Sequence, residues 1–394
     1  MKNTFKLSLM MFLQYMMLPV WFVPMLPYVN SLNGGSQWML WCGLIMGFGT
    51  FTSPLLGMFA DRFINAERVL AVCNFAGCAI LAAAFFVTTP ALLFALMLLT
   101  MCFYMPTWSL TASIAMANAS ESVYPRIRVF GTIGWVSSGV FSVVGAKFFG
   151  IQNFDLTPFI FLGGAFVSFL GGVLSFFLPP TKPCMKGAPF SVSDALGLKA
   201  LSLMKDRNFL AFSFVVFLSM IPFQWYNVYC SQYLNESGFE YLTLTLNLGQ
   251  VGEIFFMFLV AAIIRKFAYK GALIIALCAL LFRNLSFAAS SYFSLPFFDI
   301  GAILVHGLIF GLFIVGSQMF VAANAPAGLR NQAQGLMNLI TAGLGVFASN
   351  VVFDFVLGPE YNWTRAYVVA SVISLSAVAG ACILMRKPSS PESR

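Results

Sequence analysis

The chain has 394 residues, 60% of them hydrophobic and only 9% charged, with a net charge of +8. Soluble domains hold about 45–50% apolar and about 25% charged residues, so an ordinary cytosolic enzyme, a disordered chain and a secreted disulfide scaffold are excluded. The class that remains is an all-α polytopic membrane protein, whose spans need about 20 apolar residues each.

In chain order, apolar runs fall at 5–28, 37–60, 69–88, 91–117, 127–149, 157–178, 209–234, 243–264, 271–290, 297–323, 331–356 and 364–385. The first follows Lys2 and Lys6, which resembles a signal peptide. It continues to Tyr28, too long for a signal core, and lacks an A-x-A site, so it reads as an uncleaved first helix. The longest polar gap carries Pro179, Pro180, Lys182, Pro183, Lys186, Lys199, Lys205 and Arg207. It separates six spans from six: an N-terminal bundle over 1–178, a linker over 179–208 and a C-terminal bundle over 209–394. Within the linker, Ser193 to Leu201 reads as a short helix lying on the membrane surface.

Charge by side gives the orientation. The N-terminus and the gaps after spans 2, 4, 6, 8, 10 and 12 hold 17 of the 21 Lys and Arg residues. The other gaps hold acids: Asp155, Glu236, Glu240 and Glu360. The positive-inside rule then places both termini and the linker in the cytoplasm. Nucleic acid is not an expected partner, because the basic residues are not gathered on one soluble face. The eight cysteines are scattered, all but Cys184 in apolar runs, and read as small packing residues rather than a disulfide or zinc framework. No cofactor motif or Walker A string is present.

Several motifs recur or stand out. Arg126, Gly131 and Gly139 in span 5 match Arg330, Gly335 and Gly343 in span 11 in spacing, which supports two duplicated halves related by a pseudo-two-fold axis. Between spans 2 and 3 stands Gly57-Met58-Phe59-Ala60-Asp61-Arg62. This resembles the G-x-x-x-D-R/K loop signature of the major facilitator superfamily. In physical terms Gly57 permits a tight helix end, Asp61 caps a helix terminus, and Arg62 is a fork that can bind and release carbonyls, together a conformational latch. More closely, the chain resembles the bacterial nucleoside:proton symporters within that superfamily. The residues that carry this are Phe12-Leu13-Gln14-Tyr15, Pro54-Leu55-Leu56-Gly57, Tyr104-Met105-Pro106-Thr107, Ile127-Arg128-Val129-Phe130-Gly131-Thr132-Ile133-Gly134 and Ala333-Gln334-Gly335. The matches run from end to end. The resemblance implies twelve transmembrane helices in two six-helix bundles.

Function should sit where polar side chains lie deep in a span, since unpaired polar groups facing lipid are costly. Gln224 and Asn227 in span 7, and Gln250 and Glu253 in span 8, are each spaced i, i+3 and so share a helix face. Such a comb of donors and acceptors suits nucleobase edges and sugar hydroxyls, although amides also join helices. The resemblance places substrate contacts on these four residues. Glu253 is the acid well inside the apolar interior, where a carboxyl can take up and release a proton. Arg283 in span 9 lies at similar depth. A Glu253–Arg283 ion pair is the structural alternative, and the two readings can coexist if protonation breaks the pair.

Arg128 and Thr132 are i, i+4 on span 5. The resemblance assigns both to the substrate region, with Trp135 at a position the family fills with an aromatic ring. The other reading of Arg128 is a snorkelling residue at the cytoplasmic end. His306, the sole histidine, is open to either a structural or a binding and proton-relay role. The family has a tyrosine there and an aspartate at Gly311, an acid this chain lacks; either Glu253 and His306 carry the coupled proton or coupling is weaker. Asp299 and Asp354 read as interface residues.

The expectation is a monomeric secondary transporter in the cell inner membrane that imports nucleosides by proton symport with alternating access. A sugar (oligosaccharide):proton symporter of the same superfamily is the alternative, since sugars use similar amide and acid combs. Drug efflux and a membrane enzyme fit less well, for want of a large apolar site or a nucleophile–base set.

Overall fold

The computed structural model describes residues 2–119, 123–183, 198–326, 330–358 and 361–385. Every element among these residues is helical, and each of the expected apolar runs lies on helix. Nine helices among the described residues are long and apolar enough to cross a membrane, ten if one bent pair counts as a span. That bent pair, Arg126–Ser137 and Val140–Phe149, turns by 42° within the run read as a single span 5. At the bend the backbone tightens, with Ser138 N–H donating to the Trp135 carbonyl and Gly139 N–H to that of Val136. Phe159–Ser175 is apolar but has only 17 residues.

The helix Leu242–Phe293 covers two expected runs, 243–264 and 271–290. Ala268 divides them with φ 56° and ψ 176°. That combination is essentially glycine territory and costs a residue bearing a Cβ about 1–3 kcal/mol. Ala268→Gly is therefore expected to stabilise the protein by about 1 kcal/mol, read as a higher melting temperature in detergent. A lower one would show that the side chain earns its place by packing.

The chain divides into two compact units, Met1–Phe190 with Val228–Asn247, and Ser191–Asn227 with Leu248–Arg394. In the first unit, helix Lys2–Phe22 packs against Tyr124–Ser137 and Phe159–Ser175, and Ala66–Ala84 packs against Phe159–Ser175 and Pro90–Asn118. The crossings are close because glycine sits at them. A Cβ on Gly134 would overlap the Phe12 carbonyl, and one on Gly49 would lie 2.8 Å from Met101 backbone. Polar groups inside this unit are joined across helices. Gln14 Nε2 donates to Thr107 Oγ1 at 2.7 Å, and Tyr104 Oη donates to the Gln14 carbonyl at 2.9 Å.

Asp155, expected in an outer gap, is buried at 2% exposure. Ser142 Oγ donates to it at 2.8 Å, and Thr243 donates from both N–H and Oγ1 at 3.1 Å. Burial raises the pKa of its carboxyl above the ordinary range, against the pull of these donors and the Leu242 backbone.

In the second unit a core of Phe212, Val215, Met220, Leu277, Leu280, Leu312, Phe313 and Phe320 forms between helices. Trp225 Nε1 donates to the Ser349 carbonyl at 2.9 Å, and Ser349 Oγ donates to that of Ile221 at 2.9 Å, tying 207–236 to 346–357. Helical runs in this unit include π-helical stretches at Phe310–Val315 and Leu339–Gly345. Asp299, read as an interface residue, is buried, whereas Asp354 is exposed. The expected surface helix over 193–201 lies mostly outside the described residues; from Leu198 to Lys205 the chain is a 3-10 helix. Large side chains such as Phe86, Phe258, Phe297 and Phe355 are highly exposed. In water they would be an aggregation hazard; in a bilayer they face their own kind of solvent.

Candidate functional site

The first unit places Arg128 over the face of Tyr15, with the guanidinium carbon 4.3 Å from the ring centroid. Tyr15 in turn stacks on Trp108 at 5.7 Å and 18°. Gly131, one turn along, makes this posture possible: a Cβ there would come within 2.8 Å of Arg128 Nη1 and 3.0 Å of the Tyr15 ring. The Arg-x-x-Gly spacing in the span-5 string thus has a steric reason. Thr132 and Trp135 are half-buried on the same helix, one and two turns beyond Arg128.

The second unit gathers the comb residues. Asn227 Nδ2 donates to Gln224 Oε1 at 2.8 Å, so the two amides of span 7 form one unit. His306 is buried at 1% exposure. Its Nε2 is 3.1 Å from the Gln250 side-chain nitrogen position, and its Nδ1 is 3.4 Å from Arg283 Nη1. Its ring stacks on Tyr226, with centroids 4.8 Å apart. Arg283 is fully buried, its guanidinium 4.5 Å from the Tyr226 centroid and its Nη2 donating to the Phe223 carbonyl at 3.4 Å. Glu253 is buried, one turn from Gln250.

What brings span 8 and span 10 so close is a set of glycines that sequence reasoning passed over. A Cβ on Gly307 would overlap the backbone of Gly252 and Glu253, and one on Gly249 would meet His306 Cβ and the Tyr226 hydroxyl at 2.9 Å. The signal was present in Gly249-Gln250-Val251-Gly252-Glu253, where small residues flank both polar ones. At Gly311 a Cβ would come 2.9 Å from Val260 Cγ2, so packing leaves little room for an acid at the position where the resembled family has one. Gly57 lies inside helix Ser53–Arg62, and a Cβ placed on it would meet no atom within 4 Å, so it does not serve a tight helix end. Arg62 is half-buried, and the Asp61 side chain is outside the described residues.

Residues 1–390 match the family described as nucleoside H+ symporter. The chain belongs to that family. It is 37% identical over 390 residues to the putative nucleoside transporter YegT of Escherichia coli (strain K12), covering 95% of this chain and 91% of that one. It is 25% identical over 369 residues to the nucleoside permease NupG of the same organism, covering 88% and 86%. The crystal structure of NupG superposes with a TM-score of 0.83 at 22% identity, over 98% of this chain and 100% of that one. A D-xylose–proton symporter structure superposes at 0.76 with 12% identity, over 98% of each chain, which shows a shared fold. The protein is thus a multi-pass membrane transporter of the major facilitator fold that imports nucleosides with protons, and not an enzyme.

Proposed function

We propose that this symporter crosses the cell inner membrane twelve times, with both termini cytoplasmic, and works as a monomer by alternating access. The basic residues gathered in alternate gaps support the orientation. Gln224, Asn227, Gln250 and Glu253 hydrogen-bond the nucleoside, with His306, Arg128, Thr132 and Trp135 as further substrate contacts. The amide pair carries the reading. With Asn227 donating to Gln224, the pair still has the Gln224 N–H donors and the Asn227 oxygen to offer, the complement of a base edge or a ribose hydroxyl.

Glu253 carries the coupled proton, as a buried acid that can be neutral or charged, and its pairing with Arg283 would be made and broken in the cycle. His306 is the second coupling group; both ring nitrogens have neighbours, so Arg283 must withdraw before Nδ1 takes a proton. Asp61 and Arg62 act as the cytoplasmic latch, with Gly57 inside the helix that carries them.

The test is uptake of labelled uridine into proteoliposomes by Gln224→Ala and Asn227→Ala. Each is expected to raise KM about tenfold, the loss of one to two hydrogen bonds in a buried site, with the maximal rate less affected. An unchanged KM in both variants would overturn the assignment of the amide pair to the substrate.

A further inference from the structure

Arg283 has only hydrogen-bond donors to offer. Facing it at 3.4 Å, His306 Nδ1 must therefore present a lone pair. The ring is then neutral, with its hydrogen on Nε2. That hydrogen needs an acceptor, and the group 3.1 Å away is the side-chain amide of Gln250. Amide oxygen and nitrogen positions are set by the surrounding hydrogen bonds, not by shape. The Gln250 oxygen therefore turns toward His306, and its NH2 group turns away.

We propose that Arg283 is a positioning residue that, through the tautomer of His306, sets Gln250 as a hydrogen-bond donor toward the nucleoside, and so selects bases that offer a carbonyl oxygen over bases that offer an amino group. This rests on the reading of Gln250 as a substrate contact. The stacking of His306 on Tyr226, and the guanidinium over the same Tyr226 ring, hold the relay in line. An amino group brought to Gln250 would set donor against donor and leave both without an acceptor.

Two pairs of nucleosides report the effect. Uridine and cytidine differ at C4 by carbonyl against amino, with the adjacent N3 changing from donor to acceptor, and inosine and adenosine differ in the same way at C6 and N1. In proteoliposomes taking up labelled uridine, unlabelled uridine and inosine are expected to compete about tenfold more strongly than cytidine and adenosine. Arg283→Met removes the donor, releases His306 to either tautomer, and should bring that ratio close to one. Arg283→Lys keeps a cationic donor and should keep the preference. A purely structural Arg283 would lower transport of all four alike and leave the ratio unmoved, which overturns the proposal. Should Arg283→Met not reach the membrane, Gln250→Glu answers the question alone: a carboxylate presents only acceptors, so the preference should reverse toward cytidine and adenosine. A wild-type protein that carries nucleosides without distinguishing carbonyl from amino bases overturns the proposal but not the transport function. One that takes up none of the four overturns both.

Discussion

Glu253→Gln is expected to abolish proton-driven accumulation of nucleoside while leaving exchange of nucleoside across the membrane largely intact. Glutamine keeps the size and most of the hydrogen bonding of the buried side chain but cannot change charge. One proton moving down 100 mV supplies about 2.3 kcal/mol, enough for an inside-to-outside ratio of about 50. Energised vesicles holding the wild-type protein should approach such a ratio for labelled uridine, and those holding the variant should stay near one. Counterflow, which needs binding and the conformational change but no net proton movement, should fall by less than about tenfold. If the variant accumulates uridine as well as the wild type does, coupling lies elsewhere, and His306 becomes the group to replace.

The second large effect is expected from a residue with no side chain. Gly307→Ala would drive a methyl group into the backbone of Gly252 and Glu253. No rotamer relieves that overlap, because the obstacle is main chain on both sides. The two helices must part, carrying Gln250 and Glu253 away from His306. Overpacking of this kind costs about 1–3 kcal/mol, and transport per molecule is expected to drop by about ten- to a hundredfold. Gly301→Ala, in the same span, is the control, since nothing lies within 4 Å of its added Cβ. It should express and transport as the wild type does. Equal behaviour of the two variants would mean that the close approach at Gly307 is not needed for function.

The helices themselves could be read from the sequence because lipid imposes a coarse rule: long apolar runs, with basic residues sorted by side. That rule is blind to details decided by tertiary contact. Asp155 and Asp299 look like loop and interface acids in a linear reading, yet both are buried. Asp155 is satisfied by Ser142 and by Thr243, which lies 88 residues away. The bend at residues 137–140 falls on Ser137-Ser138-Gly139, a small-residue stretch that a count of apolar runs passes over. The candidate site divides in the same way. Gln224, Asn227, Gln250 and Glu253 stand out by polarity and spacing. The contacts of His306 with Gln250 and Arg283 do not, because the three lie on different spans and no periodicity links them. Even so, the glycines that set their distances were in plain view beside the polar residues.

Those glycines have a mechanical consequence. Helices that meet through bulky side chains can slide, because rotamers re-form as the surfaces pass. Where Gly249, Gly252 and Gly307 bring main chain against main chain, there is no such bearing to turn on. The segments around Gln250 and His306 should therefore travel as one cassette during transport. The contact between Gln250 and His306 would then be carried through the cycle intact, while Arg283, on span 9, can draw back from it.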